Sequence, residues 1–135
     1  MQPEDVPHMG LDAEIGFRVE SIEPDRVTGS FRVTPALFGR DGSLHRGVLS
    51  ATVGSIASVA AASRVGDMDQ VVDVTNSTSY FATVSSGTVS LVAEPVQVTP
   101  ERQEWIVRAK GDAGDLLAHG VVQLATLRQR DDSRT

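Results

Sequence analysis

The side chains that could do chemistry are few, and most gather near one stretch of the chain. There are three histidines and no cysteine. Asp41 to Gly66, DGSLHRGVLSATVGSIASVAAASRVG, holds His45, Arg46, Ser55 and Ser58, and Asp73 follows shortly after. The lack of cysteine removes a cysteine nucleophile, a disulfide scaffold and any thiolate metal site. His8, His45 and His119 are too scattered to ligate a metal together, so no metal is expected. A Ser–His–Asp set from Ser58, His45 and Asp73 is arithmetically possible, but nothing in their spacing supports it. Plainer readings stand beside the chemical ones. A histidine before a helix can bond a loop carbonyl, a core-facing serine can bond the carbonyl four residues back, and an acid at a strand end can simply be solvated.

These residues need a scaffold, and the same stretch supplies its centre. Leu49, Val53, Ile56 and Ala60 recur at helical spacing, with Val48, Thr52, Ser55 and Val59 as a neighbouring stripe. A remaining face of small residues, Ser50, Ala51, Gly54, Ala57, Ser58 and Ala61, lets another backbone approach. The spacing predicts a buried helix over 46–63. Its β-branched residues and Gly54 lower the intrinsic helix propensity, which makes a strand conceivable, but the run is far longer than a strand of four to eight residues. Such a helix has to be enclosed, and in a chain of 135 residues a sheet is the available wrapper.

The rest of the chain reads as that sheet. Alternation over Phe17 to Ile22 and Arg26 to Val33, across Pro24-Asp25, predicts a hairpin, and Gly10 to Gly16 a short helical turn. Strands are expected at Val71 to Phe81, Thr88 to Val98, Glu104 to Lys110 and Leu116 to Leu127, with Pro95 marking a bulge or an edge. The expectation is one α+β domain over 1–135, a long helix against a curved antiparallel sheet of five to six strands, with loose tails at 1–9 and 128–135. The formal charge of −6, without a Lys/Arg cluster, speaks against nucleic acid as a partner. No apolar run is long enough to span a bilayer and the polar, acidic start has no signal-peptide pattern, so no membrane partner and a cytoplasmic location are expected.

G-S-L-H-R-G before the small-residue helix, then V-V-D-V-T-N-S-T-S-Y-F, S-S-G-T-V, R-Q-E-W-I-V and a D-A-G-D hairpin, resembles the hotdog-fold acyl-CoA thioesterases of the phenylacetate-pathway type. Within that group it is most similar to the 1,4-dihydroxy-2-naphthoyl-CoA and enterobactin proofreading thioesterases. The likeness spans roughly Gly16 to Leu127. It implies a hotdog fold, a homodimer or homotetramer with sites between subunits, and a small-molecule acyl thioester as substrate. It implies no cofactor beyond the coenzyme A of that substrate.

The resemblance also implies roles. Amides at the helix N-terminus, here those of Arg46 and Gly47 in H-R-G where the family usually has H-G-G, would hold the developing oxyanion, and His45 matches the family's histidine. The family's helix carboxylate stands nine residues after that histidine, where this chain has Gly54. Gly39 replaces an Asn or Gln, Ser85 a basic side chain, and Tyr80 the histidine of the naphthoyl-CoA subgroup. Asp73 is the candidate substitute carboxylate, with Ser58, one turn beyond Gly54, and, with less weight, Ser55 as candidate helpers. The expectation is therefore hydrolysis of an aryl or medium-chain acyl thioester. Its rivals are a degenerate hotdog domain that binds such a ligand without hydrolysis, or a structural subunit of an active partner.

Overall fold

The computed structural model describes residues 1–127. Its six strands are β1 (Arg18–Glu23), β2 (Arg26–Arg32), β3 (Gln70–Tyr80), β4 (Thr88–Val98), β5 (Arg102–Lys110) and β6 (Leu116–Leu127). They form one antiparallel sheet in the order β1-β2-β4-β5-β6-β3. A short helix α1 (Gly10–Ile15) precedes β1, and the long helix α2 (Arg46–Ala62) lies against the sheet. The expected α+β architecture is the observed one, with six strands. Helix α2 ends one residue before the predicted stop, at Ala62, with Ser63 as its cap.

Leu49, Val53, Ile56 and Ala60, the stripe read from the sequence, are fully or almost fully buried against Phe31, Leu91, Trp105, Val107 and Val122. Burial of such a face is the main source of helical stability, which explains how a β-branched, glycine-containing segment stays helical. Gly120 of β6 is what lets the helix lie so close: a Cβ there would collide with a methyl group of Val53. The far end of α2 is tied down by a buried pair, with Trp105 Nε1 donating to Gln103 Oε1 (2.7 Å) and Gln103 Nε2 donating to the Ala61 carbonyl (3.0 Å).

The sheet does not sheathe α2 on all sides. Ser50, Ala51, Ser55, Ser58 and Val59 are only half-buried. Residues 1–9, expected as a loose tail, carry a 3-10 turn at Pro3–Asp5 and lie along that open side. The expected tail at 128–135 falls outside the described residues. Pro95 does mark a bulge, in the interior strand β4, where the register shifts between Pro95 and Gln97. A second bulge, not foreseen, shifts β3 between Asp73 and Thr75. Among the described residues, edge strand β3 pairs only with β6, and it leaves Val72 and Val74 exposed.

Candidate active site

Helix α2 and strand β3 build the site between them, running in opposite directions. Arg46 meets Tyr80, Ser50 meets Asn76, Gly54 meets both Asn76 and Asp73, and Ser58 meets Asp73. These four helix positions are four apart, so they form one stripe along the helix. The bulge at Val74 supplies the matching face of β3. Strict alternation would send Asp73 and Asn76 to opposite sides, because an odd number of steps separates them, whereas one extra residue returns both to the helix side.

Gly54 is the contact point. A Cβ built there would lie 3.2 Å from Asp73 Oδ2 and 3.1 Å from Asn76 Nδ2, so strand side chains fill the space a helix side chain would otherwise occupy. Ser58 Oγ donates to Asp73 Oδ1 at 2.8 Å, which fixes one carboxylate oxygen and leaves Oδ2 above Gly54. Asn76 is held on both sides: its Nδ2 donates to the Ser50 carbonyl (3.0 Å) and its Oδ1 accepts from Thr78 Oγ1 (2.7 Å). Gly54, Ser58, Asp73 and Asn76 all line an open groove of about 700 Å³ with Gly47, Ser50 and the N-terminal segment.

At the head of α2, His45 is the N-cap: its Nδ1 accepts from the Gly47 N–H at 2.8 Å, so in this arrangement the ring proton sits on Nε2. Glycine at 47 makes that possible, since a Cβ there would come within 2.9 Å of the same nitrogen. The Val48 N–H is taken by the His45 carbonyl. Among the described residues, the Arg46 N–H is left as the amide without an acceptor at this helix end. The Arg46 guanidinium lies over the Tyr80 ring, 5.8 Å from its centroid.

The structure brings Ser58, Asp73 and Gly54 together and sets Arg46 beside Tyr80. His45 is not brought to them, since the thirteen steps along the helix from His45 to Ser58 advance roughly 20 Å. Ser55 faces the other wall of the groove, donating to Asp12 Oδ1 at 2.6 Å. Reading the sequence missed Asn76 and Asp12. Nothing in a single chain marks the bulge that turns Asn76 inward, and Asp12 sits in a short helix whose packing partner lies 43 residues away. Among the described residues no cluster of acids and histidines could hold a metal ion, and no helix is long and apolar enough to cross a membrane.

Over 123 residues the chain is 34% identical to "Putative esterase Rv1847" of Mycobacterium tuberculosis, covering 89% of this chain and 88% of that protein. It is 25% identical over 122 residues to a 1,4-dihydroxy-2-naphthoyl-CoA hydrolase of Listeria monocytogenes, covering 90% and 99% of the two chains. The chain belongs to the hotdog-fold thioesterase family. No family model matches it. The hotdog architecture is repeated in the solved structure of the M. tuberculosis protein, with a TM-score of 0.85 at 34% identity, covering 89% of this chain and 98% of that one. AziG of S. sahachiroi shares it with a TM-score of 0.86 at 37% identity, covering 91% and 100% of the respective chains. Against that hotdog background, the carboxylate beside Gly54 comes from β3 and not from the helix.

Proposed function

We propose that this chain is a cytoplasmic acyl-CoA thioesterase for an aryl or medium-chain acyl group, with Asp73 as the carboxylate that drives hydrolysis. One observation carries the reading: Asp73 Oδ2 stands 3.2 Å from the Cβ position of residue 54, where a helix-borne carboxylate would begin. Ser58 holds the other oxygen, so the charge is aimed rather than mobile.

In this reaction Asp73 takes a proton from water as the water oxygen attacks the thioester carbon. The carbonyl oxygen becomes an oxyanion, which the Arg46 N–H and the positive end of α2 stabilise. The tetrahedral intermediate then collapses, the carbon–sulfur bond breaks, and the proton held by Asp73 goes to the departing thiolate. The products are a carboxylic acid and coenzyme A, and no cofactor takes part.

The two groups cannot serve one carbonyl within a single chain. From Arg46 to Gly54 the helix advances about 12 Å, far beyond hydrogen-bond reach. The proposal therefore pairs the Arg46 amide of one copy with Asp73 of a second, in a homodimer or homotetramer. The free flank of β3, with Val72 and Val74 exposed, is the surface for that pairing.

The test is thiol release from a panel of aryl and straight-chain acyl-CoA esters by the purified protein. Turnover of at least one is expected. Thermal stabilisation by an ester that is never hydrolysed would replace the enzyme with a binding protein.

A further inference from the structure

Among the described residues, β3 has a flank that no strand covers, and its side chains follow a pattern. Asp73, Asn76 and Tyr80 reach α2, while Thr75 turns to the other face, where its hydroxyl donates to Gln123 Oε1 (3.3 Å). Alternation sends Val72, Ser77, Ser79 and Phe81 to that other face as well. Phe81 prolongs the ladder past Tyr80, its N–H donating to the Leu117 carbonyl at 2.8 Å, yet it is 61% exposed, and Val72 is 39% exposed. Two apolar side chains thus stand open on one face, near opposite ends of the uncovered edge.

A second copy added to this flank has few ways to lie. A two-fold axis normal to the sheet runs the two β3 strands antiparallel and keeps each residue on its own face, so residues directly opposite must share a face. With Val74 skipped, as it is against β6, the axis has to pass through a residue and not between two. An axis at Ser77 sets Thr75 opposite Ser79, Asp73 opposite Tyr80 and Val72 opposite Phe81. Moving it to Asn76 sets Val72 opposite Ser79 and Phe81 opposite Gln70, and moving it to Thr78 sets Phe81 opposite Thr75. Ser77 is therefore the axis that covers one open apolar side chain with the other. The same axis closes the gap of about 12 Å between the Arg46 amide and the carboxylate. Arg46 lies over Tyr80, so an Asp73 that arrives opposite Tyr80 arrives at the head of the other copy's helix, with the Arg46 guanidinium as its counter-charge.

We propose that two copies pair β3 to β3 about an axis at Ser77, and that Tyr80 of each is thereby a positioning residue for Asp73 of the other. This rests on the reading above that the Arg46 amide and Asp73 of different copies serve one carbonyl.

The chain has no cysteine, so disulfide trapping reads the pairing directly. Thr75, Asn76, Ser77, Thr78 and Ser79 of the full chain are each replaced by cysteine in turn and oxidised, with folding checked by circular dichroism. Of the five, Ser77→Cys should give a covalent dimer: a residue on the axis faces itself at about 4.5–5.5 Å between Cα atoms, within disulfide reach, and the others are offset from their counterparts by two residues or more. Thr75→Cys/Ser79→Cys should cross-link although neither single variant does. Tyr80→Ala should lower kcat about tenfold, by loosening the aim of the carboxylate. Coexpressed with Asp73→Asn it should recover about a quarter of the parent turnover, because random pairing gives one site in four both an intact Tyr80 and an intact partner Asp73. A monomer, a cross-link at another of the five positions, or a folded oligomer that none of them traps overturns the pairing. Undiminished turnover in Tyr80→Ala, or a mixture no more active than its components, overturns the placement of Tyr80. The outcomes separate the two proposals: a cross-link at Ser77 in a protein that hydrolyses no ester leaves the pairing and removes the enzyme, whereas hydrolysis with the cross-link elsewhere does the reverse.

Discussion

Asp73→Asn isolates the charge on which hydrolysis depends. The amide keeps the carboxylate's shape, and its Oδ1 can still accept from Ser58 Oγ, now 2.8 Å away, but it can no longer draw a proton from water. Removing a general base of this kind lowers kcat by about 10²–10⁴, a barrier increase of roughly 3–5 kcal/mol. The cost in folding stability is far smaller, at most about 1 kcal/mol for one exposed hydrogen bond, so the melting midpoint should move by only a few degrees. A second variant asks whether position or residue matters. In Gly54→Asp/Asp73→Ser the carboxylate grows from the helix into the space that Asp73 vacated, since the new Cβ starts 3.2 Å from the former Oδ2. It should recover about tenfold or more of the activity lost in Asp73→Ser alone. Gly54→Asp by itself should instead reduce both activity and stability, because it crowds Asn76 at 3.1 Å and sets two like charges together. The assay is thiol release under saturating acyl-CoA, with thermal melts in parallel. An undiminished kcat in Asp73→Asn would refute the assignment of the carboxylate.

Other expectations concern the scaffold. Gly120→Ala drives a methyl group into Val53 and should destabilise the protein by about 1–3 kcal/mol, read as a lower urea midpoint. Val72→Lys/Val74→Lys charges the free flank of β3 and should convert the oligomer to monomers by light scattering, with hydrolysis lost in step. The Ser43 N–H and hydroxyl, both bonded to Asp41 Oδ1, hold the Asp41 carboxyl below its usual value. A depressed value means the loop gains stability above the unfolded-state pKa and loses it as pH falls through the lower folded value. Ser43→Ala removes the hydroxyl and should raise the Asp41 pKa in an NMR titration of its side-chain carboxyl.

The elements whose burial is periodic were legible in the sequence. Residues 46–62 repeat their apolar positions at helical spacing for longer than any strand, and that outweighed the low intrinsic propensity of Val48, Thr52, Val53 and Gly54. The strands at 88–98 and 116–127 begin and end where alternation and turn residues placed them. The site was legible only as a list of residues. Which of them meet depends on an added residue at Val74, and no residue type at 73–76 marks by itself where an extra residue enters a strand. Residues 1–9 were read as loose, yet a chain needs no regular structure to lie along a helix of small side chains. The His45 cap is a matter of ring orientation, beyond what spacing can express.

Among the described residues, the strand that carries Asp73 is bonded to the sheet on one flank only. Outermost strands are the parts of a sheet that drift most easily, so the aim of this acid is only as steady as whatever rests against its other side. Specific activity should accordingly fall on dilution even for an intact polypeptide, and a neighbour that stiffens the rim of the sheet would act as an activator without touching the substrate.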